Sequence, residues 1–222
     1  MELTKALWAD DEGTGNVEKS EEPRSDSAFS LALKRCFDLL FGLVAMVIFT
    51  PLFAVISVMI RAEDGGPVIF RQERVGRKGR HFTILKFRSM HLEAEEEGMP
   101  LLCSEADDRL TRMGEFLRNH HLDELPQLWN VVRGDMSFVG YRPERPYFVE
   151  RIIAQNPDYR QLYALRPGLF SLATLYNGYT DTMEKMLRRL EMDLDYVRHR
   201  SLWLDVKIIA LTTWAIVGGR KF

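Results

Sequence analysis

The chain is poor in cysteine: Cys36 and Cys103 stand alone in 222 residues, with no CxxC spacing. A disulfide framework and a thiolate zinc site are thereby excluded, and a reducing compartment fits. A basic excess is lacking too, since 30 Lys and Arg face 32 Asp and Glu for a formal net charge of −2. That balance excludes a general nucleic-acid binder, and no nucleic-acid partner is expected. There is no GxxxxGK[ST] loop, no GxGxxG after a strand and no GxSxG turn, so the common nucleotide and serine-hydrolase fingerprints are absent. His120 and His121 are adjacent, which makes their side chains diverge, and no third histidine lies at ligand spacing.

What is present is unevenly distributed. Residues 1–30 carry eight acidic side chains against Lys5, Lys19 and Arg24, without apolar periodicity, and read as a polar, flexible extension. From Leu39 to Ile60 no charge interrupts "LLFGLVAMVIFTPLFAVISVMI". As a straight helix this run would reach about 33 Å, enough for a hydrocarbon core of about 30 Å. It starts too deep in the chain for a cleaved leader. Two features resist a simple span. Pro51 near its middle removes a backbone hydrogen bond. Both flanks are basic, with Lys34 and Arg35 before and Arg61, Arg71 and Arg74 after, and the positive-inside rule cannot place both on one side of a true span. A helix that enters, breaks at Thr50-Pro51 and returns satisfies both, with the Thr50 hydroxyl available to a freed carbonyl. From the residues alone, re-entrant and spanning helices remain equally open.

After the run, Val68–Gln72 and His81–Ser89 read as two short strands joined by the basic loop "ERVGRKGR", a hairpin whose tip suits anionic headgroups. The charge run that follows Met90 reads as an exposed helix face or loop. Helical patterns then cover residues 110–119, 125–132, 144–154 and 182–199. The last of these carries the apolar stripe Met183, Leu187, Leu190, Leu194 and Val197. The final stretch, with Trp203 and Trp214, is a core or interfacial helix, too short for a span. No internal repeat occurs.

The chemistry concentrates in "HHLDELPQLWN", His120 to Asn130. Pro126 is tolerated in a first helical turn, so Asp123 and Glu124 are expected at a helix start, where backbone N–H groups favour anions. A cap needs one carboxylate. The second makes a site conceivable in which the pair binds a hard cation such as Mg²⁺ and offers a nucleophilic oxygen. Arg118, Arg142, Lys86 and Arg88 supply positive charge, and forked guanidinium donors match phosphate oxygens. Carboxylates among arginines beside a membrane segment form the pattern expected for phosphoryl transfer involving a membrane-embedded substrate.

Several motifs occur in order: "KRCFDLL" opening the apolar run, the mid-run proline, "FRQERVG", "KFRSM", "LTRMGEFLRNHHLDELPQLWNVVRGDMSFVG" with "RP" close behind, "RPG" at Arg166–Gly168, and "LDVKII". Together they resemble the monotopic phosphoglycosyl transferases, also called bacterial sugar transferases, in the short form, from Lys34 to about Val217. The resemblance implies an α+β, mostly helical fold. A re-entrant membrane helix over residues 31–62, broken at Pro51, would precede a cytoplasmic catalytic domain over residues 63–222 with a short β-hairpin and interfacial helices, lying on the inner membrane of a bacterium. It implies transfer of a phosphosugar from a UDP-sugar to a polyprenyl phosphate, releasing UMP, as the first membrane step of glycan assembly. Asp123 would be the nucleophile of a covalent intermediate and a Mg²⁺ ligand, Glu124 its catalytic support, and Arg118, Arg142, Pro143, Lys86 and Arg88 the phosphate and substrate contacts. Membrane lipids and downstream glycosyltransferases are the implied partners. The chain departs from the family pattern at Tyr141, where proline is usual, and at Phe170-Ser171, changes expected to alter pocket shape or sugar choice. A membrane-anchored phosphohydrolase and a catalytically silent assembly protein of the same fold are the competing expectations.

Overall fold

A computed structural model describes residues 27–92, 94, 102, 107–178 and 180–218. The acidic extension up to residue 26, Cys103 and most of the charge run after Met90 lie outside them. Ser27 starts the first helix by accepting from the Ser30 N–H, and Gly65, in the left-handed region at φ 71°, ends it. This helix, α1 (Ala28–Asp64), is 37 residues long and continues through Pro51 as one element. It is long and apolar enough to cross a membrane.

The α1 surface changes along its length. On the first arm, Asp38 and Gly42 are buried; on the second, Ile56 and Ile60. Between them Val47 to Pro51 are all exposed. Five residues exceed one helical turn, so no face of the middle is covered by the rest of the protein. The Thr50 hydroxyl donates to the Met46 carbonyl at 2.7 Å.

Strands β1 (Ile69–Val75) and β2 (His81–Phe87) form the antiparallel hairpin, with Ile69 opposite Phe87 and Val75 opposite His81. Its tip is a 3₁₀ turn, Arg77–Gly79. Then follow α2 (Arg112–Asn119), a 3₁₀ turn at Leu122–Glu124, α3 (Gln127–Arg133), β3 (Ser137–Val139) and α4 (Pro146–Gln155). A 3₁₀ segment at Pro157–Ala164, β4 (Gly168–Phe170), α5 (Leu172–Asn177), α6 (Met183–His199) and α7 (Leu202–Val217) complete the α+β domain. β3 and β4 pair in parallel, a second small sheet that the sequence patterns did not announce.

Three apolar clusters hold these parts. Leu128, Val131, Met136, Phe138, Leu172, Tyr196 and Ile208 tie α3, β3, α5, α6 and α7 together, with Ala45 and Met46 of the first α1 arm packed on them. Phe148, Ile152, Leu162, Leu190 and Val197 join α4, the 3₁₀ segment and α6. Ile56 and Ile60 of the second α1 arm pack on Phe87 and Leu117.

Polar ties fix both ends of α1 to this domain. Arg35 donates to the Val131 and Val132 carbonyls at 2.7 and 2.8 Å, relieving two carbonyls at the α3 C-terminus. Asp38 accepts from the Ser137 hydroxyl and the Phe138 N–H, each at 3.0 Å, and Lys34 pairs with Asp205. At the other end Asp64 pairs with Arg88, and Glu63 accepts from the Met113 N–H at 3.1 Å. On α7, Leu204, Asp205, Ile208 and Thr212 face inward, while Trp203, Val206, Leu211 and Trp214 stand exposed. The outer face of this helix is therefore apolar, as an interfacial helix requires.

Candidate active site

Three elements meet at the carboxylate pair. Thr111 caps α2 by accepting from the Gly114 N–H at 2.9 Å. After Asn119 the chain reverses through His121, a non-glycine residue at φ 56°. That turn sets Leu122–Glu124 one step ahead of α3 rather than in its first turn, since the α3 cap position falls to Pro126, which offers no side-chain cap. Asp123 is therefore not a helix cap, and the structural duty that most aspartates have before a helix is removed from it.

Asn130 locks the second element in place. Its side-chain carbonyl accepts from the Leu85 N–H at 3.0 Å and its amide donates to the Thr83 carbonyl at 2.8 Å. The free edge of β2 is thereby paired to a side chain of α3. The next residue along the strand, Lys86, reaches Glu124 at 2.6 Å and Asp123 at 3.7 Å. The third element is the segment after β3, where the Arg142 guanidinium meets Glu124 at 2.7 and 3.5 Å through its two terminal nitrogens. The Arg142 backbone N–H in turn donates to Asp193 of α6 at 3.4 Å.

The two carboxylates differ. Burial would raise the Glu124 carboxyl, but the charges and hydrogen bonds of Arg142 and Lys86 hold it well below the usual range. Burial raises Asp123, and the Glu124 charge adds to this, against the opposing pull of Lys86, Arg118 and Arg142. One side chain is a fixed anion tied to two cations; its neighbour is buried and less tightly committed. This division suits a nucleophile beside an electrostatic anchor.

The pair lines a cavity of about 520 Å³ that also takes in Lys86, Arg88, Arg118 and Arg142. Of the residues singled out from sequence, these six are brought together. Pro143 is buried outside the lining, its carbonyl accepting from Arg74 at 3.0 Å. Thr50 and Pro51 lie on the exposed middle of α1. Arg88 carries a duty besides facing the cavity, its pair with Asp64. Pattern reading missed Arg74, Glu144 and Arg189. Glu144 pairs with both arginines and all three line the same cavity. A signal existed for Arg189: the sequence sets it four residues before Asp193, opposite charges at i, i+4 beside the apolar stripe of α6, and both prove buried.

The departures from the family pattern fall elsewhere than expected. Tyr141 is fully buried in the α4–α6 cluster, and its hydroxyl finds no hydrogen-bond partner among the described residues. Phe170 packs on the main core and Ser171 caps α5, accepting from the Thr174 N–H at 3.0 Å. None of the three lines the cavity.

A helix-anchored α+β domain with a carboxylate pair in a guanidinium-rich cavity defines the class. The bacterial sugar transferase family model matches residues 29–219, and the chain belongs to that family. It is 42% identical over 182 residues to the UDP-glucose:undecaprenyl-phosphate glucose-1-phosphate transferase of Caulobacter vibrioides, covering 81% of this chain and 67% of that protein. It is similar, at 39% identity over 187 residues, to the UDP-N-acetylgalactosamine-undecaprenyl-phosphate N-acetylgalactosaminephosphotransferase of Aeromonas hydrophila, covering 84% of this chain and 44% of that protein. The Escherichia coli glucose-1-phosphate transferase is 39% identical over 197 residues, 85% of this chain and 41% of its own length. The chain thus spans less than half of the length of two of these three relatives.

Proposed function

We propose that this chain transfers a sugar 1-phosphate from a UDP-sugar to undecaprenyl phosphate or a similar polyprenyl phosphate, releasing UMP, at the cytoplasmic face of a bacterial inner membrane. The observation that carries the proposal is Asp123 itself: buried, relieved of capping, and set in a cavity with Lys86, Arg118 and Arg142. The printed functions of the relatives supply the substrate class.

In the first step an Asp123 carboxylate oxygen attacks the phosphorus that bears the sugar. The bond from that phosphorus to the bridging oxygen breaks, and UMP leaves with the electron pair. In the second step an oxygen of the lipid phosphate attacks the same phosphorus, the acyl-phosphate P–O bond to Asp123 breaks and returns its electron pair to the carboxylate, and polyprenyl diphosphate sugar leaves. Splitting the transfer lets one cavity serve a soluble donor and a lipid acceptor in turn. Arg118 and Arg142 stabilise charge on the phosphoryl oxygens. Glu124 holds Lys86 and Arg142 in place. Among the described residues no cluster of three or more His, Cys, Asp or Glu is poised for a metal. Asp123, with the diphosphate oxygens, still suits Mg²⁺, which commonly takes one or two carboxylates plus phosphate. When bound, Mg²⁺ supplies charge neutralisation between carboxylate and diphosphate.

The two ends of α1 support one-sided membrane entry. Lys34, Arg35 and Asp38 at one end, and Glu63 and Asp64 at the other, bind the same domain. A straight span would put those ends on opposite sides of the bilayer. The bare middle around Pro51 suits the deepest point of the insertion.

The test is UMP release by the full chain in detergent or nanodiscs with Mg²⁺, polyprenyl phosphate and a panel of UDP-sugars. Lipid-dependent UMP, lost by at least about 10³-fold in Asp123→Asn, is expected. Release without lipid would point to the hydrolase instead, and activity surviving in Asp123→Asn would sink the assigned nucleophile.

A further inference from the structure

A second, smaller cavity of about 60 Å³ lies apart from the catalytic one and shares none of its lining residues. Lys34, Arg35, Arg77, Arg166 and Arg200 surround it, with Asp38 as the carboxylate in its wall. These cations come from four separate parts of the chain: the first turns of α1, the hairpin tip, the segment before β4 and the residue after α6. Lys34 is paired with Asp205, and Asp38 accepts from the neutral Ser137 hydroxyl and Phe138 N–H, so its single charge is left to offset only part of the surrounding guanidinium charge. Arg35 and Arg166 donate to the neutral carbonyls of Val131, Val132 and Gly134, which satisfies some N–H groups but cancels no charge. Arg77 makes no side-chain hydrogen bond or ion pair among the described residues. Burial and then the like charges of Arg35 and Arg77 depress the Arg166 guanidinium, with Asp38 acting against them. The site concentrates positive charge in half-buried surroundings, which is unfavourable until an anion enters.

At about 60 Å³ it exceeds the roughly 10–15 Å³ that a single water needs, so it has room for a small occupant. Its position adds a further hint. Leu31, Lys34, Arg35 and Asp38 fall on one face of α1 immediately before the apolar run begins at Leu39. This is the level at which a membrane helix leaves water, and where lipid phosphates lie.

We propose that this cavity is a phosphate-binding site separate from the catalytic centre, taking the phosphate of an anionic lipid headgroup or a free phosphate ion. Only the lipid source rests on the membrane placement argued above. Recognition of the anion itself does not depend on the transferase function.

The experiment reads binding rather than turnover, so an inactive enzyme would still answer it. Thermal unfolding of the full chain in neutral detergent is followed with inorganic phosphate, with chloride at equal ionic strength, and in nanodiscs of phosphatidylcholine with or without phosphatidylglycerol. For the wild type, an upward Tm shift of about 3–5 °C is expected at an occupant concentration near ten times Kd. Arg77→Gln, whose side chain makes no hydrogen bond or ion pair among the described residues, and Arg166→Lys, which keeps the charge but loses the fork, should each lose most of that shift. Arg133→Gln, on an exposed arginine, should keep it. A shift with phosphatidylglycerol alone identifies the headgroup as occupant; a shift with inorganic phosphate in detergent identifies the free ion. The same shift in wild type and both variants, or no shift beyond chloride under any condition, overturns the proposal.

Discussion

At the scale of the residue, the candidate site treats two adjacent carboxylates differently. Glu124 is ion-paired with Lys86 and Arg142, whereas Asp123 has Lys86 at 3.7 Å. A pH consequence follows. The proposed attack requires an ionised Asp123, and its raised pKa means that charge is lost, on acidification, at a higher pH than for an ordinary carboxyl. Lys86 lowers this pKa and Glu124 raises it. Lys86→Met should therefore move the acid limb of kcat/KM to higher pH, and Glu124→Gln should move it to lower pH. Profiles of UMP release against pH check this, and shifts of the same sign in both variants would contradict the electrostatic assignment. The pair itself was legible in the sequence, as a cap with one carboxylate too many. What could not be read was the left-handed turn at His121. It moves the pair off the helix start and depends on how α2 and α3 pack.

At the scale of the element, the small hairpin and a two-turn helix are made into one unit by a single amide. Asn130 pairs with the backbone of Thr83 and Leu85, and its own carbonyl accepts from the N–H groups of Gly134, Asp135 and Met136. Replacing Asn130 with Ala removes the side-chain partners of the Leu85 N–H and the Thr83 carbonyl, at half-buried and exposed positions of β2, at about 0.5–1.5 kcal/mol for each lost hydrogen bond. Asn130→Ala should lower the denaturant-unfolding free energy by about 1–3 kcal/mol and also reduce kcat, because Lys86 follows directly in the strand. An Asn130→Ala protein with unchanged stability would show that the amide is dispensable. The hairpin and most helices were legible from alternation, periodicity and turn residues. The β3–β4 pair was not. Its strands are three residues each and about 30 residues apart, too short to carry a period. Tyr141 and Phe170-Ser171 were legible as departures, but only packing shows that they serve the core and a helix cap.

At the scale of the whole molecule, the question is on which side of a membrane each part sits. Cysteines placed at Ser27 and Ala62, with Cys36 and Cys103 replaced by Ser, mark the two ends of α1. Both should react with an impermeant maleimide from the same side in sealed inverted vesicles, and neither in right-side-out ones. Opposite reactivity would mean that α1 spans the bilayer and that the ties at its two ends cannot form together. Basic flanks and Pro51 raised this topology in the sequence. Its strongest support lies in contacts that no local pattern can disclose, since the partners of Lys34, Arg35 and Asp38 come 171, 96 or 97, and 99 or 100 residues later.

Those long separations also set a timetable for biosynthesis. Asp38 leaves the ribosome about 100 residues before the backbone that will hold it, and Lys34 precedes Asp205 by 171. At roughly 5–20 residues per second, these polar groups wait about 5–35 s for their partners. On the proposed one-sided entry, α1 would spend that interval without the ties that fix its ends. The proposed topology therefore predicts delivery of the nascent chain to the bilayer before its own domain is able to anchor the helix.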